Sequence, residues 1–362
     1  MRSRLSLPDG QHFGLLSYEP PEQSSQRCGN SLKKFRIRLA GEKSNSFPAG
    51  QEVAILGKLC FTFLSMKVIV LGGSGLVGSH LVACLRQRGH SVSGTCWKQV
   101  VLGMTRLSMS DLRGLSLILQ REKFDVLVIC SGFTWVDGCE NKPARARLHN
   151  AILPGKIAQL CRRHKTKVVY LSSSYVFDGE RGPYSERDRP NPLSIYGKSK
   201  LEGEQRVRQE GGKGALVIRT MGVVGYEPRE KNFLYTVIRN LQKTKVLVVP
   251  DDQRGNLTCA TDLAQGICLL LEKNKHGTYH IAGRRPNAKR SEVAKQIAKN
   301  YRLDTKLIRP VPTVELNPKA PRPRYGGLLT GKARKQVGWK PINLLPQWAK
   351  VGSVQAKERH GT

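Results

Sequence analysis

The feature that most constrains the fold of this chain is a short apolar run that leads directly into three glycines. Residues 67–71 predict a buried strand, and glycines follow at positions 72, 75 and 78. The next segment predicts a helix, because Leu81, Val82 and Leu85 form one apolar stripe. Glycines at such a turn let the backbone approach a pyrophosphate at the start of a helix. The arrangement therefore predicts a dinucleotide-binding unit of strand, turn and helix.

Strand and helix patterns continue to alternate along the chain. Strands are expected at 91–95, 125–130, 167–172 and 215–219, with helical segments between them. Such alternation favours parallel strands joined by helical crossovers that cover both faces of a sheet. We expect an α/β fold with a Rossmann-like doubly wound parallel sheet and a smaller mixed α/β substrate-binding region on the C-terminal side.

The chain divides by composition into four predicted parts. Residues 1–65 are rich in Ser, Gly, Pro, Gln and charge, so we expect a disordered extension, with Met66 as an alternative start. Residues 66–220 are predicted to form the NAD(P)-binding domain. Beyond residue 220 the alternation loosens, so residues 221–350 are predicted to form a smaller mixed region interleaved with that domain. Residues 351–362 are a basic tail. The apolar stretch 53–64 falls short of the ~20 residues of a membrane span, and a cytoplasmic location is expected.

A tyrosine and a lysine four residues apart form a candidate acid–base pair. Ser194 is suited to cap a helix here, which puts Tyr196 and Lys200 on one helical face. A free phenol titrates near ~10, and a neighbouring ammonium favours its phenolate form. Ser173, at the end of an apolar strand, can hydrogen-bond a carbonyl oxygen while Tyr196 passes the proton. We predict Ser173, Tyr196 and Lys200 as the catalytic residues.

The predicted adenosine end of the cofactor site carries no carboxylate in the sequence. An acid after the second strand would accept a hydrogen bond from the ribose 2′-hydroxyl of NAD, but this chain continues with Cys96, Trp97 and Lys98. Lys98 therefore favours NADP(H) over NAD(H).

These motifs resemble those of the extended short-chain dehydrogenase/reductase superfamily, and most closely those of the dTDP-4-dehydrorhamnose reductase family. The likeness covers roughly residues 66–350. It implies NAD(P)H-dependent reduction of a nucleotide-activated 4-keto-6-deoxysugar, in which Tyr196 donates the proton and Ser173 polarises the carbonyl. Lys200 would lower the pKa of the phenol and bind the nicotinamide ribose. The implied cofactor contacts are Gly72, Ser74, Gly75, Leu76, Val77, Gly78, Lys98, Ser131, Gly132, Tyr196 and Lys200.

The resemblance also implies that residues 221–350 are a substrate-binding region with a site for the substrate's diphosphate. Asn232, Arg254 and Arg322 are the candidates, because amide and guanidinium groups suit phosphate oxygens. Asn150, at a helix start in another family-like segment, is expected to brace the strand that carries Ser173.

Three positions depart from the family's pattern. Arg106 stands where the family has an Asp near the adenine, Ser174 where an acid is usual, and Asn256 where a proline is expected. Ser174 argues against a dehydratase. A sugar-nucleotide epimerase stays an alternative, as does a non-catalytic NADP-binding regulatory subunit resembling the beta subunit of methionine adenosyltransferase.

The composition bounds the remaining partners. The formal net charge is +34, from 61 Lys and Arg against 27 Asp and Glu, and such a field attracts diphosphate-containing molecules. No block of like charge marks a dedicated nucleic-acid site, so none is predicted. Nine cysteines without a Cys-x-x-Cys pair indicate reduced thiols, and scattered histidines predict no metal site. The resemblance suggests a monomer or a homodimer.

Overall fold

A seven-stranded sheet runs through the computed structural model, which describes residues 65–98 and 100–341. Its strands are β1 (Lys67–Leu71), β2 (Ser91–Cys96), β3 (Thr105–Arg106), β4 (Val126–Ile129), β5 (Lys167–Ser173), β6 (Leu216–Thr220) and β11 (Gly277–His280). They lie in the order β11-β6-β5-β4-β1-β2-β3, and all neighbouring pairs are parallel. The strand order reverses between β1 and β4, which is where such sheets bind cofactors at their carboxyl edge. The predicted tail and, apart from Ser65, the predicted extension lie outside the described residues.

Helices connect the strands and cover both faces of the sheet. The α-helices are α1 (Leu76–Gln87), α2 (Leu112–Glu122), α3 (Val136–Asn141), α4 (Pro143–Arg147), α5 (Leu153–Arg163), α6 (Ile195–Gly211), α7 (Phe233–Gln242), α8 (Ala260–Glu272), α9 (Arg290–Asn300) and α10 (Gly331–Val337). A π-helical turn, Leu148–Ile152, joins α4 to α5. Short 3-10 turns lie at Ser174–Val176, Gly212–Gly214, Thr305–Leu307 and Thr313–Leu316.

Alternate residues of β1 enter two separate cores, as the two-residue period of a strand requires. Val68 and Val70 pack with side chains of α1 and α8 on one face. Ile69 and Leu71 pack with side chains of α2 and α5 on the other. Because both faces are covered, the strand reads as a continuous apolar run. The predicted Rossmann-like doubly wound sheet is confirmed.

The segment after β6 builds a smaller mixed region. Its strand pairs are β7 (Val223–Val224) with β10 (Thr258–Cys259), β8 (Leu247–Pro250) with β13 (Ile308–Val311), and β9 (Arg254–Gly255) with β12 (Ala288–Lys289). The β9–β12 pair is antiparallel. Helices α7 and α9 pack their apolar faces on β8 and β13 in a third core. Strand β11 returns from this segment to the main sheet and pairs with β6, so the two regions interleave.

Candidate active site

The turn between β1 and α1 is built from glycines that leave no room for side chains. Gly72 has φ of +82°, and a Cβ atom there would lie 2.4 Å from Ser131 Oγ. A Cβ atom at Gly78 would lie 2.1 Å from the carbonyl oxygen of Gly72. The Gly72 N–H donates to Thr95 Oγ1 at 3.0 Å, which ties the turn to the end of β2. The bare backbone of this turn fits the diphosphate of a dinucleotide.

Helix α1 begins directly after this turn. Gly75 is its N-cap residue and has an extended conformation. The N–H groups of Leu76, Val77 and Gly78 lie in the first turn, where helix geometry provides them with no acceptor. Together with the positive end of the helix dipole, they offer donors to an anion. Ser74 holds the turn through an N–H bond to the Thr95 carbonyl oxygen at 3.4 Å.

A cationic cluster lies where β2 and β3 end, at the predicted adenosine end of the site. Trp97 follows β2 with 52% of its surface exposed, and the Arg106 guanidinium lies 5.6 Å from the centre of its ring. Arg106 reaches this place because it pairs in register with Cys96. Lys98 is exposed beside Trp97. Two cations and an exposed indole at one edge suit a phosphorylated adenosine.

Ser173 and Tyr196 meet at the carboxyl end of β5. Ser173 ends the strand, Tyr196 lies in the first turn of α6, and each is buried. Burial raises the pKa of Tyr196 above its ordinary value, and the hydrogen bond with Ser173 lowers it by less. The ring of Tyr175 packs edge-on against Tyr196 at a centroid distance of 5.5 Å. The phenol is therefore protonated at neutral pH, which is the state that a proton donor needs.

Lys200 lies one helical turn after Tyr196 and is also buried. Its Nζ donates to the carbonyl oxygen of Leu171 and lies 4.1 Å from the centre of the Tyr170 ring. Burial lowers the pKa of Lys200 to about 7, although Glu204 raises it in part. The sequence predicted that Lys200 would lower the pKa of Tyr196. The net shift of the Tyr196 pKa is upward, because burial of the phenol is the largest influence. The effect of Lys200 on this pKa stays a prediction.

Asn150 braces the loop after β4 against the helix that carries Tyr196. Its Oδ1 accepts from the Phe133 N–H at 2.9 Å, and its Nδ2 donates to Phe133 O and to Ser199 Oγ. The Tyr170 hydroxyl on β5 donates to the Asn150 carbonyl oxygen at 2.6 Å. Asn150 therefore contacts α6 as well as β5, the strand that it was predicted to brace. Ser131 and Gly132 lie in the same loop, and a Cβ atom at Gly132 would lie 3.0 Å from Asn150 Oδ1.

A cleft opens between Tyr175, which packs against Tyr196, and the smaller mixed region. The empty space in the cleft is about 730 Å³, and part of this space is open solvent at its mouth. Tyr175 lines the cleft and also contacts Tyr196, so the cleft adjoins Tyr196. Its lining residues are Tyr175, Met221, Gly222, Phe233, Gln253, Arg254, Gly255, Asn256, Leu257, Ala288, Arg290, Val293 and Pro323.

The three predicted substrate contacts have different surroundings. Arg254 lines the cleft, and its Nη1 lies 3.4 Å from the carbonyl oxygen of Asn287. Asn232 precedes the lining residue Phe233 and donates from Nδ2 to the Gly225 carbonyl oxygen at 2.8 Å. Arg322 precedes the lining residue Pro323 and pairs with Asp137 Oδ2 at 2.5 Å.

Two of the residues that depart from the family pattern, Asn256 and Ser174, are buried. Asn256 is 4% exposed, and its Oδ1 accepts from the Leu328 N–H at 2.7 Å. Its Nδ2 donates to the Gly283 carbonyl oxygen, so Asn256 ties two loops together beneath the cleft. Ser174 is buried in the 3-10 turn that follows β5.

Sequence reasoning predicted Arg254 among the residues that line this cleft and missed most of the others, including Tyr175, Phe233 and Arg290. Tyr175 lies two residues after Ser173, and that position could have marked it. Phe233 and Arg290 begin two different helices, and no local pattern brings them together.

Metal and membrane features can be assessed for the described part of the chain. Residues 65–98 and 100–341 contain no cluster of three or more His, Cys, Asp or Glu that could hold a metal ion. Over the same residues, no helix combines the length and apolarity needed to cross a bilayer. Seven cysteines fall in this part, and each is a free thiol.

Comparisons with known proteins agree with this architecture. The sequence profile of the RmlD substrate binding domain matches residues 66–351. The spore coat polysaccharide biosynthesis protein SpsK of Bacillus subtilis is 32% identical over 276 residues, which cover 76% of this chain and 93% of that protein. The dTDP-4-dehydrorhamnose reductase of Mycobacterium tuberculosis is 30% identical over 270 residues, which cover 73% and 85%.

A solved structure extends the comparison to three dimensions. The dTDP-4-dehydrorhamnose reductase of Bacillus anthracis, in complex with NADP, superposes with a TM-score of 0.72 at 27% identity, covering 80% of this chain and 99% of that one. The profile and the relatives span most of the chain and carry the resemblance that the motifs indicated. The chain therefore belongs to the RmlD substrate binding domain family.

Proposed function

We propose that this protein is an NADPH-dependent reductase of a nucleotide-activated 4-keto-6-deoxysugar, similar to dTDP-4-dehydrorhamnose reductase. The observation that carries the proposal is the hydrogen bond between Ser173 and Tyr196 at the carboxyl end of β5, with Lys200 one turn along the same helix. Tyr175 packs against Tyr196 and lines the cleft. The names of the relatives support the same substrate class, and the NADP bound in the Bacillus anthracis structure supports the same cofactor. A residue set of this kind supports carbonyl chemistry rather than a purely structural role.

The cofactor's diphosphate would bind at the turn formed by Gly72, Ser74 and Gly75 and at the N-terminus of α1. Its adenosine phosphate would bind Lys98 and Arg106, and the loop at Ser131 and Gly132 would border the ribose and nicotinamide. When bound, the cofactor supplies the hydride that reduces the carbonyl carbon. Lys200, at the carboxyl edge of the sheet, would bind the nicotinamide ribose.

Proton transfer is the task of Tyr196. Its phenol is protonated at neutral pH, because burial raises its pKa. As negative charge develops on the carbonyl oxygen, the Tyr196 hydroxyl gives up its proton to that oxygen and the Ser173 hydroxyl donates a hydrogen bond to it. The Lys200 ammonium, held by the Leu171 carbonyl oxygen, stabilises the phenolate that remains.

The substrate's sugar would lie over Tyr196, and its nucleoside diphosphate would extend into the cleft. Arg254 lines that cleft, and Asn232 and Arg322 adjoin it. Residues 221–350 would thus hold the substrate, as the sequence predicted.

The test is NADPH oxidation with dTDP-4-dehydrorhamnose, measured for the wild-type chain and for Tyr196→Phe. The wild-type chain should form the dTDP-deoxysugar alcohol without added partner protein. Tyr196→Phe removes only the hydroxyl, so it should keep NADPH affinity and lose about 100-fold or more of kcat.

Two outcomes would contradict the proposal. Conversion of a sugar nucleotide into its epimer without net NADPH oxidation would identify an epimerase. Tight NADPH binding with no turnover of any 4-keto sugar nucleotide, together with capture of a partner enzyme, would identify a regulatory subunit.

A further inference from the structure

Arg290 occupies an unusual position in the cleft. It is the first residue of α9, and its guanidinium lies 3.9 Å from the centre of the Phe233 ring at the start of α7. At this distance the ring attracts the cation through its face, and the guanidinium N–H groups can still donate to a ligand. Both residues line the cleft. The cation of Arg290 therefore lies in the wall of the cleft. Tyr175 lines the same cleft and packs against Tyr196.

The charge around Arg290 is not balanced by acid. None of the salt bridges among the described residues involves Arg290. The lining of the cleft in that part of the chain includes Arg254 and Arg290 and has no Asp or Glu. Burial lowers the pKa of Arg290, and Arg322 adds to that through like-charge repulsion. Half-buried cations that repel one another are stabilised when an anion comes between them.

Arg322 and Arg290 differ in what already binds them. Arg322 is held by Asp137 at 2.5 Å, and the same carboxylate accepts from the Ala320 N–H at 3.0 Å. Its charge is therefore partly neutralised within the protein. Arg290 has an aromatic support in place of a carboxylate and keeps its full charge for a ligand. Arg254 lines the same cleft, and a diphosphate carries enough negative charge to pair with more than one cation.

We propose that Arg290, oriented by Phe233, binds the diphosphate of a nucleoside diphosphate in this cleft and thereby selects nucleotide-activated substrates. The inference rests on the proposed function for the identity of the sugar, but it concerns the diphosphate alone. Arg290 acts here as a specificity-determining residue and not as a participant in proton transfer.

The experiment measures binding of dTDP, UDP, GDP and thymidine by calorimetry to the full chain saturated with NADP⁺, so that the glycine turn is already filled. The wild-type chain should bind at least one of the three diphosphates and should bind thymidine more weakly than dTDP. Arg290→Gln should weaken the preferred diphosphate by about 10- to 100-fold, the loss expected for one charge-assisted hydrogen-bonding group. Its thymidine affinity should not change.

Three variants sharpen the result. Lys299→Gln removes one positive charge from the exposed end of the same helix, and it should leave diphosphate binding unchanged. Arg290→Lys keeps the charge but loses the planar fork, so it should recover only part of the affinity. Phe233→Leu keeps apolar volume and removes the aromatic support, and it should weaken diphosphate binding while sparing NADP⁺.

The outcomes separate this inference from the proposed reductase. If Arg290→Gln binds diphosphates as tightly as the wild-type chain, or if the wild-type chain binds none of the three, the inference is overturned whatever the turnover. If diphosphate binding depends on Arg290 but no 4-keto sugar nucleotide is reduced, the inference stands and the reductase assignment fails.

Discussion

Burial moves the two titrating groups of the site in opposite directions. It raises the pKa of Tyr196 and lowers the pKa of Lys200 to about 7. Tyr196 therefore keeps its proton through the neutral range, whereas Lys200 loses its charge near neutrality. The pH dependence of reduction should then report the lysine and not the tyrosine.

We expect kcat/KM for reduction to be flat below the Lys200 pKa of about 7 and to fall above it. The limiting slope should approach about tenfold per pH unit, because the uncharged amine no longer stabilises the developing phenolate. The measurement is a pH–rate profile of NADPH oxidation. Lys200→Met should be slower at every pH and should lack this falling limb. A limb that persists unchanged in Lys200→Met would assign the titration to another group.

The buried imidazole of His280 makes the folding stability depend on pH. Burial lowers the pKa of His280 to about 3, and the Arg219 guanidinium lowers it as well. Between the ordinary value of 6.5 and about 3, the unfolded chain binds a proton that the folded chain refuses. Folding stability should therefore decrease as the pH falls through this window, by up to about 1.4 kcal/mol per pH unit from this residue alone.

His280→Asn should remove that contribution and make the acid side of the stability profile shallower. Urea unfolding at several pH values from neutral to mildly acidic would measure the slope. His276→Asn is the matched control, because His276 is exposed four residues earlier. Equal slopes for wild type and His280→Asn would refute the assignment.

At the residue scale, the sequence predicts what is encoded by spacing and misses what depends on burial. The Gly72 turn and the Tyr196–Lys200 pair follow from neighbours within one turn of chain. The direction of the Tyr196 pKa shift does not, because it depends on how deeply β5 and α6 bury the phenol. Arg290 was missed because its aromatic support, Phe233, begins a helix 57 residues earlier, and no local pattern shows that contact.

At the scale of elements, a buried ion pair joins α6 to the sheet. Glu204 is 0% exposed and accepts from Arg219 Nε at 2.8 Å and from Arg219 Nη2 at 2.7 Å. Arg208, one turn later on α6, donates to the same carboxylate at 2.7 Å. Tyr196 and Lys200 lie on this helix, so the ion pair between Glu204 and Arg219 fixes the element that carries the proposed proton donor to strand β6.

We expect Glu204→Gln to lower the free energy of unfolding by about 3–5 kcal/mol, because it leaves the Arg219 charge buried and uncompensated. Glu202→Gln is the control on the same helix. Glu202 pairs with Arg147 and Arg206 near the surface, so its loss should cost less than about 1 kcal/mol. Chemical denaturation of the two variants makes the comparison.

The opposite result would have a clear meaning. If both variants lost the same small amount, Glu204 would not be the partner that compensates Arg219. The double change Glu204→Leu with Arg219→Met should be closer to wild type than Glu204→Gln, because no unpaired charge stays buried.

Elements of the main sheet were predictable, but their partners in the smaller region were not. Strands β1, β4, β5 and β6 contain continuous apolar runs and are flanked by helices, which is a local signal. Strand β11 joins β6 across 56 residues of intervening chain, and the pairs β8–β13 and β9–β12 are also distant in sequence. Such contacts are decided by tertiary packing, so the sequence indicated a mixed region without its pairing.

At the scale of the whole molecule, positive charge dominates. After residue 65 the chain has 52 Lys and Arg against 22 Asp and Glu. A field of that sign draws anions toward the protein before any contact forms. NADPH and a sugar nucleotide are both multiply charged anions, so the field acts on both substrates of the proposed reaction.

The salt dependence of turnover should separate this long-range attraction from chemistry inside the site. The Debye length is about 30 Å at 0.01 M salt and about 10 Å at 0.1 M, so added salt shortens the reach of exposed charges but screens buried groups much less. KM for NADPH and for the sugar nucleotide should therefore rise with salt, while kcat at saturation stays nearly constant. Sodium chloride and potassium glutamate should give matching curves at equal ionic strength, because screening depends on charge and not on anion identity. A KM that is flat in glutamate but rises in chloride would instead show chloride competing at specific anion sites, with little contribution from the field.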